Sequence, residues 1–394
     1  MRTAIRWTVA AVIVVHGLIH FLGAAKGLGW ADVTALSEPI TPGIGLVWLA
    51  AGILTVGAGV LLAVGIRWWW IVGAVALVLS QAVIISSWSD AKAGTIANVV
   101  LLAAVIFGYA SQGPTSYRAQ FHRLVGAALA DSAGATTGAV VTESDLAHLP
   151  DSVARYVRQS GAVGLPRVRN FRARAHGRIR GGADKPWMSF VAEQVNTYGP
   201  APSRLFFMDA TMVGLPVDVL HAYVGPSATM RVKVCSLVPM VNAAGPEMDR
   251  AETVTVFNDL CVLTPAALVD APISWQVLDE RHVRGSFTNG AQTVTAELTF
   301  NDADELVDFV SDDRTRASAD GKSFTPQRWS TPIGGYRLFG DRRIGADGQA
   351  RWHPVENDSG YCYLEFFVDS IAYNEGISRA GAALDDRQVS GSTR

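Results

Sequence analysis

Residues 1–112 hold four uncharged apolar runs in succession, and from residue 167 onward apolar and polar positions alternate in short stretches. The runs Trp7–Ala25, Gly43–Ile66, Trp68–Ser89 and Ala93–Ser111 are each long enough to cross a hydrocarbon layer of about 30 Å as a helix. Backbone groups find no water partner in lipid, so each run is expected to be helical. Trp7, Trp30, Trp68, Trp69, Trp70 and Trp88 stand at run ends, where interfacial aromatics collect. No small-residue cleavage site follows the first run and three more runs come after it, so it is expected to be a retained span.

Beyond Gly113-Pro114, Tyr117–Asp131 reads as an amphipathic helix with Phe121, Leu124, Val125 and Leu129 on one side and Arg118 and Arg123 on the other. It could lie on a membrane surface or pack on the following domain. Small polar residues from Asp131 to Val140 read as a linker, and Thr142 to Asp145 as the capped start of another helix carrying Leu146, Leu149, Val153 and Val157.

The period then changes to two. In the first strand Arg172, Arg174, His176, Arg178 and Arg180 alternate with Phe171, Ala173, Ala175, Gly177 and Ile179. Its basic face either meets anionic lipid or faces water, paired with acidic residues such as Glu193, Asp279 and Glu280. Further strands read at Trp187–Tyr198, Ser203–Val213, Val217–Val224 and Ala228–Cys235, and again from Ser274 to Tyr373. Asn289-Gly290, Asp320-Gly321 and Asp347-Gly348 read as hairpin turns. Between the strand groups lies Arg250–Asp270, with Val256, Leu260, Leu263 and Ala267 at helical spacing and Phe257 and Cys261 beside them. An apolar-faced helix among strands is expected to lie on a sheet.

The fold class expected is an α-helical four-span membrane domain plus an α+β soluble domain, a curved antiparallel half-barrel sheet covered by helices. The divisions are residues 1–112 (spans), 113–141 (helix and linker), 142–376 (half-barrel) and 377–394 (disordered tail). Both faces of Ser203–Val213 are apolar, as in a strand lining a cavity. Leu205, Phe207, Met208, Met212, Val256, Phe257, Leu260 and Leu263 are therefore the expected ligand-lining residues.

Composition sharpens this picture in three places. A net charge of −2 and a pI near 6.4 supply no basic footprint for nucleic acid. The three cysteines, Cys235, Cys261 and Cys362, are odd in number and far apart, so free thiols are expected. Basic residues lead to the expectation of a cytoplasmic N-terminus and soluble domain, with Arg2, Arg6, Arg67, Arg118 and Arg123 inside and only Lys26 and Lys92 outside.

Polar residues at membrane depth are His16 and His20, four apart on one helical face, with Gln81 and Asn98 in later runs. They either hold a metal, a haem or a quinone headgroup, or hydrogen-bond across helices and fix the bundle. Two histidines with no further ligand make an incomplete metal site, so no metal or cofactor is expected. No P-loop, HExxH, GxSxG or EF-hand pattern occurs. Asp209, Arg231 and Glu252 are polar residues in or beside apolar segments, the residues an enzyme acting on a membrane-borne substrate would use. His221 and His282, lone on strands, read as core or rim residues.

The succession FMDATMVGLP (207–216), AETVTVFNDL (251–260), LTPAALVD (263–270), ISW, LTFND, PQRWSTP, GGYRLFG, ARW and IAYN resembles a family of uncharacterised bacterial proteins over roughly residues 145 to 375. That family is similar in fold to the LolA and LppX lipoprotein-carrier half-barrels. The resemblance implies binding of a lipid, acyl chain or other hydrophobic small molecule, and transfers no catalytic residue. The expected partners are membrane lipid and that ligand.

Overall fold

The computed structural model describes residues 2–132, 139–199, 201–318, 320–354 and 360–376. Most of the expected linker, Val355 and the 377–394 tail lie outside the described residues. The chain divides into two compact units, one built from residues 1–120 and 235–237 and one from 121–234 and 238–394.

The first unit is helical: α1 (Arg2–Gly27), α2 (Pro42–Val64), α3 (Trp69–Ser86), the single turn α4 (Trp88–Ala91) and α5 (Gly94–Gln112). Pro42 opens α2, where Thr41 accepts from the Ile44 amide, and Gly65 closes it at φ +86°. Helices α1 and α2 meet through small residues: a Cβ on Gly17 would lie 2.7 Å from the Val56 backbone nitrogen, and one on Gly23 would run into the Trp48 ring. Four helical stretches, Ala4–Gly27, Pro42–Val64, Trp69–Ser86 and Gly94–Asp131, are long and apolar enough to cross a membrane. The last of them runs from α5 into α6 (Tyr117–Ser132).

In the second unit α6 buries Phe121, Val125 and Leu129, with the Phe121 ring 6.0 Å from Phe207. It thus packs on the sheet. A capping box at Thr142 and Asp145 starts a 3-10 turn, and α7 (Asp151–Gln159) follows Pro150. Leu146, Leu149, Val153 and Val157 are all buried.

The strands are β1 (Asn170–Ile179), β2 (Met188–Thr197), β3 (Ser203–Met212), β4 (Leu215–Val224), β5 (Ser227–Val234), β6 (Val238–Ala244), β7 (Ile273–Val277), β8 (His282–Asn289), β9 (Gln292–Phe300) and β10 (Leu306–Ser311). Shorter pieces follow: β11 (Thr315–Ala317), β12 (Phe324–Pro326), β13 (Arg328–Ser330), β14 (Ile333–Gly334), β15 (Arg337–Phe339) and β16 (Arg342–Ile344). The chain then returns through β17 (Asp347–His353) and β18 (Tyr361–Tyr373).

One antiparallel sheet of 14 strands runs β6-β5-β4-β3-β2-β1-β18-β17-β13-β10-β9-β8-β7, with β14 on β17. Its end strands β6 and β7 are not paired, so the half-barrel stays open. Helix α8 (Pro246–Leu263) connects those two ends. The sheet curls far enough for its hairpin turns to touch: Asn289 Nδ2 donates to Tyr223 Oη at 2.5 Å and to the Gly225 carbonyl at 3.0 Å.

Three expectations need correction. Helix α8 does not lie on a sheet with one apolar face: Ala251 to Leu263 are all buried, so it runs through the middle of the curl. Its ring of mixed apolar and polar residues hid that from periodicity. Strand β6 was not expected, since VPMVNAA alternates weakly. Asp347-Gly348 is no turn but the start of β17, paired to Phe367 and Phe366. Tight turns stand instead at Val213-Gly214 and Cys235-Ser236, three of the four being non-glycine residues at positive φ.

Candidate functional site

Arg204 sits on β3 and reaches α8: Nε donates to Asp259 Oδ2 at 2.8 Å and Nη1 to Glu252 Oε2 at 3.2 Å. Its phase of the strand therefore faces inward, carrying Phe206, Met208, Ala210 and Met212 with it. Strand register extends that inner face to Phe190 and Ala192 on β2, Val217, Val219 and His221 on β4, and Met230, Val232 and Val234 on β5.

Two apolar clusters share this face. One surrounds α8, where Phe257 stacks on Phe287 at 5.5 Å and meets Phe309 edge-on at 5.2 Å. The other stands apart: Phe190, Ala192, Met208, Ala210 and Val217 are buried, and Ile179, Phe206, Met212, Val219, Val232, Val234, Leu364 and Phe366 are only half-buried around them. That second cluster is a half-buried apolar patch, the trough, on the inward phase of β1–β5 and β18.

The expected lining residues divide accordingly. Met208 and Met212 face the trough. Leu205 and Phe207 belong to the opposite phase and are buried on the convex side, Phe207 against Phe121. Val256, Phe257 and Leu263 are solid core around α8. Leu260 is core too, yet it also edges a cleft of about 600 Å³ at the far end of the sheet, with Val168, Tyr198, Ala267 and Phe287.

Between the core and the trough lies a buried charged cluster. Asp259 Oδ2 accepts from Arg204, from Gln194 at 2.7 Å and from Asn196 at 3.0 Å. Glu252 faces Arg204, Arg314 at 3.5 Å and His221 at 3.5 Å, and Arg314 lies over the Trp329 ring at 4.2 Å. Burial drives His221 down to about 4, against the pull of Glu252, so at neutral pH its ring is uncharged. Burial opposes ionisation of Glu252, but the charges facing it, Arg204 and Arg314 with His221 when that ring is protonated, hold it below the usual carboxylate range. With His221 neutral, the arginines supply that attraction, and two guanidinium groups balance two carboxylates.

Asp209 and Arg231 occupy the convex phase, across the sheet from Glu252, so the three do not converge. Arg204 and Arg314 are the partners that sequence reasoning missed. A signal existed: Glu252 and Asp259 are seven apart, two turns along one helix face, and an arginine falls in the inward phase of β3. The basic face of β1 is salt-bridged on the convex side, Arg172 to Glu193 at 2.9 Å and Glu375 at 3.0 Å, Arg178 to Glu365 at 2.5 Å and His176 to Asp369 at 2.7 Å. Of the acidic partners expected, Glu193 serves, whereas Asp279 pairs His282.

In the first unit the four polar residues come together. His16 Nε2 lies 3.0 Å from Asn98 Oδ1 and 3.2 Å from Ser80 Oγ, and His20 Nε2 lies 2.8 Å from Ser80 Oγ. Asn98 Nδ2 donates to Gln81 Oε1 at 3.0 Å. Both histidines also line a cleft of about 560 Å³.

These features define a chain of two parts, an apolar four-helix unit and an open half-barrel wound on a buried helix with an apolar trough beside it. The chain belongs to a family of unknown function, DUF6544, whose model matches residues 139–366. No curated protein matches it in sequence. Among solved structures, a candidate outer membrane lipoprotein-sorting protein domain from Vibrio parahaemolyticus is similar over 54% of this chain and 89% of its own, at 10% identity and a TM-score of 0.33. A DUF1329 family protein from Desulfovibrio piger is similar over 58% of this chain and 94% of its own, at 12% identity and a TM-score of 0.25.

Proposed function

We propose that the second unit binds a lipid or other hydrophobic ligand in the trough, and that the first unit anchors the chain across a membrane. The observation that carries the reading is the half-buried apolar face: eight apolar side chains on the concave side stay partly open while α8 fills the curl beside them. Such a face gains about 0.8 kcal/mol for each ligand methylene it buries, without any fixed polar contact. The anchoring part is supported by four helices of spanning length and apolarity. The excess of arginine at residues 2, 6, 67, 118 and 123 supports a cytoplasmic location for both the N-terminus and the second unit, at a bacterial inner membrane.

The test compares full-length protein with a Val219→Asp variant for displaceable binding of a fluorescent fatty acid. A charge at Val219 stands in the middle of the trough and should abolish saturable binding while leaving the fold intact. Wild-type protein that shows no saturable binding, or a variant that binds equally well, removes the reading.

A further inference from the structure

We infer that the first unit holds a separate site for a lipophilic phenol or alcohol, whose hydroxyl donates to Nδ1 of His16. The inference does not depend on the trough. Its starting point is the orientation of the Asn98 amide. Asn98 Nδ2 donates to Gln81 Oε1 at 3.0 Å, and Gln81 Nε2 donates to Thr95 Oγ1 at 3.3 Å. This leaves Asn98 Oδ1 turned to His16 Nε2 at 3.0 Å, and an amide oxygen only accepts. With the amides so turned, the proton of the neutral ring is on Nε2, and Nδ1 is a bare acceptor.

The neighbouring ring differs. His20 Nδ1 lies 2.9 Å from the His16 carbonyl, so it must carry its proton there, and its Nε2 faces Ser80 at 2.8 Å. Ser80 has one hydroxyl proton for His20 Nε2 and for Asn98 Oδ1 at 2.9 Å, and with it turned to His20 both His20 nitrogens are engaged. For His16 the hydrogen bonds among the described residues all run through Nε2. An acceptor open to an apolar cleft and without a donor costs free energy, which a bound hydroxyl recovers.

The space for such a molecule exists. The cleft of about 560 Å³ that His16 lines is walled by Val12, Val15, Ile19 and Ala97, a size that ordinary small-molecule sites occupy. Gly94 keeps it open beside the imidazole: a Cβ there would lie 3.3 Å from His16 Cε1. Asp90, also on the cleft, is occupied elsewhere, accepting from the Ser37 amide and hydroxyl at 2.6 Å each and from the Glu38 amide at 3.0 Å. An apolar wall selects a lipophilic body, and a lone acceptor selects an O–H donor over a carbonyl or ether.

The test is equilibrium binding of 4-octylphenol and its methyl ether, 4-octylanisole, to full-length protein in lipid nanodiscs, corrected for partition into empty discs. Wild-type protein should prefer the phenol by about 3- to 10-fold, the range one neutral hydrogen bond supplies. His16→Gln keeps an amide donor near Asn98 but has no acceptor at the Nδ1 position, and should bring the ratio to one. Ala97→Phe fills the cleft without touching the polar network and should weaken both ligands. Binding in the second unit is unaffected by either substitution and cancels in the comparison. Equal affinities in wild type, a preference that persists in His16→Gln, or unchanged phenol binding by Ala97→Phe overturns the inference. Should His16→Gln fail to fold, the Ala97→Phe result decides alone.

Discussion

Replacing Phe257 with alanine asks whether α8 is a structural core or a roof over open space. The ring is fully buried, stacked on Phe287 at 5.5 Å, edge-on to Phe309 at 5.2 Å and 6.5 Å from Trp275. On the β8 side Gly285 admits the ring so closely that a Cβ there would sit 2.7 Å from Phe257 Cζ. Strand and helix backbones on both sides are held by sheet pairing and by the charged cluster, so the site cannot collapse into the gap. Truncating a buried phenylalanine under those conditions costs about 3–5 kcal/mol, and loss of aromatic pairs worth about 0.5–1.5 kcal/mol each points to the upper half. Against a domain stability of about 5–15 kcal/mol, that loss is between about a quarter and most of the total. Hydrogen exchange of full-length protein, read by mass spectrometry over β8–β10, should show protection reduced by roughly a thousandfold, which corresponds to about 4 kcal/mol. A loss under about tenfold would mean that the ring borders empty space, and the description of α8 as core would fail.

The charged cluster yields a second prediction: Arg204→Leu strands Asp259 and Glu252 among apolar neighbours, and should destabilise the second unit by about 3–5 kcal/mol in urea titration. Simultaneous Asp259→Asn should recover part of it, and a single variant as stable as wild type would refute the account. His221 makes a pH prediction. Its folded value, near 4, lies below the ordinary 6.5, so its neutral form stabilises the fold above pH 6.5, and that contribution, about 3 kcal/mol at most, is lost as pH falls towards 4. His221→Gln should flatten the stability difference between pH 7 and pH 4.5 relative to wild type, and an unchanged slope contradicts the assignment. Asn289→Ala removes the bonds joining the β8–β9 turn to Tyr223 and Gly225, and should cost about 1–2 kcal/mol with faster exchange at both turns. No change at either turn would show that the clasp is incidental.

Much of this architecture was legible in periodicity. Uncharged runs marked the helices of the first unit, and alternation marked most strands, because each strand has one face on the core and one outside it. The inner phase of β1 and β5 could be read directly. For β3 it could not, because α6 covers the convex side as well, making Leu205 and Phe207 as apolar as Met208 and Met212. Only Arg204 marks the inward face, and its meaning depends on knowing that Glu252 and Asp259 lie opposite. Helix α8 was found but misplaced. Its Glu252, Thr253, Asn258 and Asp259 look like a solvent face until side chains from the surrounding sheet and its connections arrive to satisfy each of them. The membrane-depth residues His16, His20, Gln81 and Asn98 were singled out by polarity alone. The link through Ser80 was not, since a serine in an apolar run carries little signal.

Whether the trough holds a hydrophobic ligand is decided most directly by photo-crosslinking with a diazirine-bearing fatty acid, mapped by peptide mass spectrometry on full-length protein. The account predicts label on the segments facing the trough, residues 206–219 and 230–234, and its loss in Val219→Asp. Label confined to the apolar helices, or to residues 167–169, 198–199, 202 and 287–290 around the other cleft, would contradict it.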